Sequence, residues 1–239
     1  MKSNELLNSF SELLPSFYIS RNIGDDNVPL QVFFPRSSSK KRLLICGAVH
    51  GDEPSGSIAL LEFLKQRNSR EFLNRLCISF IPIVNYYGFE NNKRKNEEGK
   101  DINRDFDDEK TSKQTKFLRE DFSIDLARDG FLSMHEDETD FYCYTYGKNK
   151  ELFNSVIETG KKFFDMQTGE IELDVNDGKV KCNIEHGQIN NIKDGSFENY
   201  LFDNGLIGIC PEIPTKEKLE KRIEAYRQII NSFLRYFLL

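Results

Sequence analysis

Histidine is scarce in this 239-residue chain, and two of its three copies, His50 and His135, close apolar runs of strand length. His50 sits in Val49-His50-Gly51-Asp52-Glu53, directly after Leu43-Leu44-Ile45-Cys46-Gly47-Ala48. An imidazole and a carboxylate three residues apart, on a turn leaving a buried strand, can converge on one ion, and zinc accepts that ligand set. Taken alone, the spacing equally suits an ordinary polar surface turn. His135 ends the run Gly130-Phe131-Leu132-Ser133-Met134 and supplies a third donor. Three protein ligands with an open fourth position form the arrangement for hydrolysis by an activated water. The third histidine, His186, lies beside Gly187 after a hairpin pattern and reads as solvated.

Hydrolysis also needs a base and a cation. Cys210-Pro211-Glu212-Ile213-Pro214 ends the last apolar run on a carboxylate. Glu212 is either an edge residue between prolines or a general base that takes a proton from water and returns it to the leaving amine. Arg94 and Arg104 fall in one polar stretch, Arg94-Lys95-Asn96-Glu97-Glu98-Gly99-Lys100-Asp101-Ile102-Asn103-Arg104-Asp105-Phe106. That stretch is either a solvated loop or the source of cationic groups that stabilise a developing oxyanion and grip a substrate.

These side chains need elements to position them. The unbroken apolar run at 43–48 predicts a strand buried on both faces, and Ile58, Leu61 and Leu64 predict a helix over 57–66. A turn between such a strand and helix is where open α/β sheets build their sites. Further strands are expected at 17–21 and 30–34 (an antiparallel edge around Gly24-Asp25-Asp26-Asn27), at 76–84, at 130–134 and at 206–213. Pro82 either ends the 76–84 strand or confines it beside an edge. Helices are expected at 5–14, 110–129, 151–164 and 216–239; Ser37–Arg42 reads as a polar loop. Alternation over 170–186 around Asn176-Asp177-Gly178 predicts a hairpin. Residues 85–106 are too long for a simple connection, which marks a functional loop. The stripe Leu219, Ile223, Tyr226, Ile230, Phe233 and Phe237 on the last helix reads as core packing.

A net charge of -6 argues against a general nucleic-acid binder. No signal-peptide pattern or membrane-length apolar run is visible, so a cytoplasmic protein without membrane partners is expected. The five scattered cysteines read as reduced, with Cys46, Cys77 and Cys210 in the core, rather than as a disulfide framework or a Cys-type metal site. With no linker visible, residues 1–239 are expected to form a single domain, with 1–36 as an N-terminal helix and edge strands.

In order along the chain stand His50-x-x-Glu53, Asn85-x-x-Gly88, Arg94-x-Asn96-x-x-Gly99-x-Asp101-Ile102-Asn103-Arg104-x-Phe106, His135 and Glu212. This series resembles the zinc carboxypeptidase family of carboxypeptidase A, and most of all its short bacterial members such as the murein peptide amidases. The likeness implies an α/β fold with a mixed, mostly parallel twisted sheet of about eight strands between helices. It implies one zinc ion on His50, Glu53 and His135, catalysis by Glu212, and an oxyanion held by Arg94. Asn103 and Arg104 would grip the substrate's terminal carboxylate, and Glu198 could line the pocket for the departing side chain and favour a basic one. The expected substrate is a peptide or acyl amino acid with a free carboxylate.

The sequence departs from the family in places. Tyr86-Tyr87 replaces Pro-Asp between Asn85 and Gly88, and Asp105 adds a negative charge beside the carboxylate grip. The mobile active-site tyrosine has no counterpart between Gly187 and Gly195, although Tyr200 could lie nearby. Glu136-Asp137-Glu138 could be a solvated turn, support for the zinc ligand, or ligands for a second metal near Glu136 and Asp137. Two other readings stand beside the peptidase. One is an N-acyl amino acid deacylase of the succinylglutamate desuccinylase/aspartoacylase type, and the other a zinc-binding protein without turnover. The sequence leaves oligomeric state open.

Overall fold

The computed structural model describes residues 1–24, 29–36, 40–107, 110–120, 123–175, 178–190 and 193–239. Helix α1 (Ser3–Leu13) precedes an antiparallel pair, β1 (Tyr18–Asn22) and β2 (Gln31–Pro35), then β3 (Arg42–Gly47), α2 (Ser55–Leu64), α3 (Ser69–Arg75) and β4 (Cys77–Ile81). Next come α4 (Tyr86–Asn91), a single 3-10 turn at Ile102–Arg104, α5 (Lys113–Glu120), α6 (Ser123–Leu126), β5 (Gly130–Asp137), β6 (Tyr142–Tyr146) and α7 (Lys150–Gly160). The chain closes with β7 (Gly169–Val175), β8 (Gly178–Ile184), β9 (Gln188–Asn190), α8 (Phe197–Asp203), β10 (Gly208–Pro214) and α9 (Leu219–Leu238).

Eight strands form one mixed sheet in the order β1-β2-β4-β3-β5-β10-β6-β9, with β4, β3, β5 and β10 running parallel at its centre. β7 and β8 pair separately as the expected hairpin. Its Asn176-Asp177 turn lies outside the described residues, as do Asp25–Asn27 of the first hairpin and Ser37–Ser39 of the polar loop.

The apolar run of β3 is buried on both sides for a physical reason. Leu43 and Ile45 join the core under α1, α2, α7 and α9, whereas Leu44 and Cys46 join the core under α6 and α8. β4 stops at Ile81, immediately before Pro82, and pairs on both sides, so the proline ends the strand. α9 buries Tyr226, Ile229, Ile230, Phe233 and Leu234 completely. Each such side chain contributes roughly 1.5–3 kcal/mol by leaving water.

Several elements differ from the sequence expectation. Within the helix expected over 110–129, the described residues form α5 and α6, and residues 127–129 are not helical. The functional loop at 85–106 contains α4, whose first turn Asn85 caps by accepting from Gly88 N at 2.8 Å. Asn85 therefore holds this turn without the family's Pro-Asp. Strand β5 runs on through His135 to Asp137 because Glu136 and Asp137 pair with Ile213 and Pro214 of β10. β6 and α8 were not expected, and both reach the site.

Candidate metal centre

The centre lies at the carboxyl ends of β3, β5 and β10. Leaving β3, the backbone turns sharply: Ala48 has a φ of 48°, an uncommon conformation for a residue with a side chain. Gly51 then packs so close to α4 that a Cβ there would lie 2.0 Å from the Gly88 carbonyl carbon. The turn aims both His50 and Glu53 inward, and both are buried. His135 comes from β5, and its cross-strand partner on β10 is Glu212. Tyr226 of α9 donates to the carbonyls of His135 and Pro211 from below, tying the two strand ends to the core.

His50 Nδ1 and Glu53 Oε1 are 2.6 Å apart, His135 Nδ1 and Glu53 Oε2 are 3.0 Å apart, and the two Nδ1 atoms are 3.3 Å apart. On the outer side, His50 Nε2 faces Asp101 Oδ1 at 3.2 Å and His135 Nε2 faces Glu198 Oε1 at 3.2 Å. An Nε2–H on each ring would donate to these carboxylates and leave both Nδ1 lone pairs facing inward. Both Nδ1 lone pairs and the Glu53 carboxylate then converge with acceptors turned toward one another. This is the donor set of a divalent cation, and the three residues fit one. Although burial opposes it, Glu53 and Glu198 hold the His135 pKa well above its usual range. Burial likewise works to raise Glu53, but His50 and His135 outweigh it and hold that carboxyl at about 2.

Glu212 stands next to His135 across the strand pair and next to Tyr142 on its other side. Burial pushes its carboxyl well above the ordinary range; His135 works against this, Glu53 and Asp137 add to it, and Arg94 opposes it. Arg94 donates from Nε to Asp101 Oδ2 at 2.8 Å, and its Nη1 lies 3.2 Å from His50 Nδ1 and 3.6 Å from Glu53. Arg104 lies 3.2 Å from Asp194 and donates to the Asn103 carbonyl at 2.6 Å. His50, Glu53, Arg94, Arg104, His135, Asp194 and Glu212 border one cavity of about 660 Å³, with Asp101 behind them.

The structure brings His50, Glu53, Arg94, Asn103, Arg104, His135, Glu198 and Glu212 to one cavity, and three residues singled out in the sequence make contacts that were not expected. Asn103 donates to Glu198 Oε2 at 3.1 Å and accepts from Phe197 N at 2.9 Å, so its amide already bridges to α8. Glu198 borders the cavity, yet its two oxygens face His135 and Asn103, which makes it foremost a support for His135. Glu136 accepts from Ser55 N at 2.8 Å and pairs with Arg222. Both groups of converging metal-type donors among the described residues contain His135, and neither includes Glu136, Asp137 or Glu138. The second group adds Cys210, whose thiol burial pushes well above its usual pKa.

Other charges resolve simply. Asp105 turns away from the cavity to accept from Ser112 N and Thr115 Oγ1 at the start of α5. Tyr200 donates to the Arg119 carbonyl and stacks near Phe106, away from the centre. All five cysteines are free. Sequence reasoning missed Asp101 as the partner of His50 and Tyr226 as the tie beneath the strands. For Asp101 a signal existed: it stands two residues before Asn103 inside the quoted motif.

A family model described as the succinylglutamate desuccinylase/aspartoacylase catalytic domain matches residues 39–142, a stretch that holds His50, Glu53, Arg94, Asp101, Asn103, Arg104 and His135 but not Asp194, Glu198, Glu212 or Tyr226. A search of curated proteins finds no match. Among solved structures, the chain is similar to a candidate metallopeptidase from Shewanella amazonensis, with 29% identity and a TM-score of 0.84 over 98% of this chain and 91% of that one. It is also similar to a metallo-carboxypeptidase from Burkholderia cenocepacia (14% identity, TM-score 0.74, 99% of this chain and 69% of that one). A succinylglutamate desuccinylase/aspartoacylase from Rhodobacter sphaeroides follows at 16% identity and a TM-score of 0.59, over 92% of this chain and 63% of that one. These last two establish likeness of fold alone. The resemblance to the zinc carboxypeptidase-like proteins therefore holds, and the eight-strand mixed sheet between helices is their architecture.

Proposed function

We propose that residues 1–239 act as one catalytic unit, a zinc-dependent hydrolase that releases a C-terminal residue from a peptide or peptide-like amide. The observation that carries this reading is the cluster of inward-facing acceptors, His50 Nδ1, His135 Nδ1 and Glu53, with Glu212 on the adjoining strand. His50, Glu53 and His135 would hold the ion. A zinc ion so bound supplies Lewis acidity and brings the pKa of water to roughly 7.

The protein's own groups do the rest. Glu212 takes the proton of the attacking water at its carboxylate and later delivers it to the leaving nitrogen. Arg94 borders the same cavity and offers its guanidinium to the oxygen on which negative charge develops, a contribution typically of about 2.7–4 kcal/mol to the barrier. Asp101 holds Arg94 and His50 in register. Arg104 presents paired donors to the substrate's terminal carboxylate, and Asn103 fixes α8 behind it.

A second reading is favoured by the family model that matches residues 39–142: a deacylase acting on an N-acyl amino acid. Both reactions cleave an amide beside a carboxylate, and the same residues would serve. The test is to incubate zinc-loaded and zinc-stripped protein with murein peptides, ordinary peptides and N-acyl amino acids, and read the products by mass. Zinc-dependent release of C-terminal residues supports the peptidase, and release of acyl groups alone supports the deacylase. Zinc uptake with no product in any set would leave a binding protein. No helix among the described residues is long and apolar enough to cross a membrane; a cytoplasmic setting is part of this proposal.

A further inference from the structure

We propose that the cavity selects a departing residue with a single carboxylate and a hydrogen-bond-donating, cationic side chain, and that it rejects a second carboxylate. This rests on the hydrolase reading above and narrows its substrate class.

The first argument is the balance of charge along the walls. Among the described residues lining the cavity, Arg94 and Arg104 are the only lysines or arginines. Each already faces a carboxylate, Arg94 at Asp101 and Arg104 at Asp194. Apart from Glu53 and Glu212, the lining also includes Asp137, Glu138, Glu172, Asp194 and Glu198. A terminal carboxylate can be met by Arg104. A second one, as in an acylated aspartate or glutamate, would find only Arg94, held by Asp101 beside the ion site, and would otherwise lie among like charges.

One corner of the cavity also gathers acceptors. β6 sets Tyr142, Tyr144 and Tyr146 on one face of the sheet, and all three border the cavity. The Tyr142 hydroxyl donates to Asp137 at 2.6 Å. Tyr146 is 4% exposed and borders the same cavity. Asp194 and Glu198 are the carboxylates within its electrostatic reach. Asp194 accepts from Ser196 N at 3.1 Å and from the Ser196 side chain and faces Arg104, which leaves about one of the roughly four acceptor positions of a carboxylate. This corner of the cavity is therefore rich in acceptors and short of donors. An ammonium group, with three donors and no acceptor, matches that imbalance, and a carboxylate aggravates it.

Calorimetric titration of zinc-loaded protein with lysine, norleucine and glutamate tests the idea without requiring turnover. Lysine should bind at least about tenfold more tightly than glutamate, with norleucine between them. Glutamate binding as well as lysine, or norleucine matching lysine, overturns the proposal. Asp194→Asn should weaken lysine and strengthen glutamate, because Arg104 loses its internal partner; a parallel loss for all three ligands would mean a purely structural Asp194 and overturn its role. Tyr146→Phe, read in the same way, should shrink the lysine-to-norleucine ratio about threefold or more, and an unchanged ratio would contradict the assignment of Tyr146. A lysine preference in binding with no hydrolysis of any amide would refute the hydrolase while leaving the selectivity standing. Hydrolysis that favours glutamate would do the reverse.

Discussion

The two imidazoles of the centre are held in opposite ways. His135 lies within β5, pairs across to Glu212, and has its carbonyl fixed by Tyr226 and its Nε2 fixed by the buried Glu198. His50 lies three residues beyond β3, in a turn with one strained residue, and its Nε2 is met by Asp101 from a polar loop. Asp101 and Arg94 are also more exposed than Glu198. One half of the centre is thus a frame built into the sheet and the core, and the other is a turn braced by a loop. Rigidity and access are thus divided: the strand side fixes His135 and Glu212, while the loop side carries Arg94 and Arg104 at the cavity wall.

The largest effect should come from the frame side. Glu212→Gln should keep zinc affinity and lower kcat by at least about a hundredfold, the low end for a positioned acid/base. A matching loss of zinc would place Glu212 among the ligands instead. Stripping zinc should lower the melting temperature, and zinc at a hundred times its Kd should restore about 2.7 kcal/mol. Hydrogen exchange should show the protection returning mainly over residues 48–53, with little change in β5. Even recovery over both halves would erase the contrast drawn above.

Replacing the outer partners compares the halves directly. Glu198→Gln should cost up to about a hundredfold in zinc affinity and Asp101→Asn about tenfold, measured by competition with a chelating dye. A reversed order would mean that the loop, not the frame, governs the ion. The smallest effect belongs to the tie below the sheet: Tyr226→Phe should cost about 1 kcal/mol of stability by denaturant titration. A cost near zero would separate α9 from the positioning of the centre.

Much of this was legible in the chain because strand burial and turn chemistry leave local marks. The run 43–48 announces a strand buried on both faces, and His50-x-x-Glu53 marks the turn that follows. β6 was harder to see, since Tyr142-Cys143-Tyr144-Thr145-Tyr146 alternates over only five residues and follows an acidic turn. α8 is seven residues long, too short for a clear helical period. The roles of Glu198, Asp101 and Tyr226 depend on contacts 63, 51 and 91 residues away along the chain, which no local pattern encodes. Asp105 shows the same limit in reverse: its charge sits next to Arg104 in sequence, but the fold directs it to the start of α5.

The central claim is that three side chains from two strand ends share one divalent ion. Its most direct test is calorimetric titration of zinc into metal-free protein, comparing the natural chain with Glu53→Ala. One zinc per chain, bound tightly in the natural protein and weakened at least about a hundredfold in the variant, is the predicted result. Equal binding by both proteins, or none by either, would contradict it.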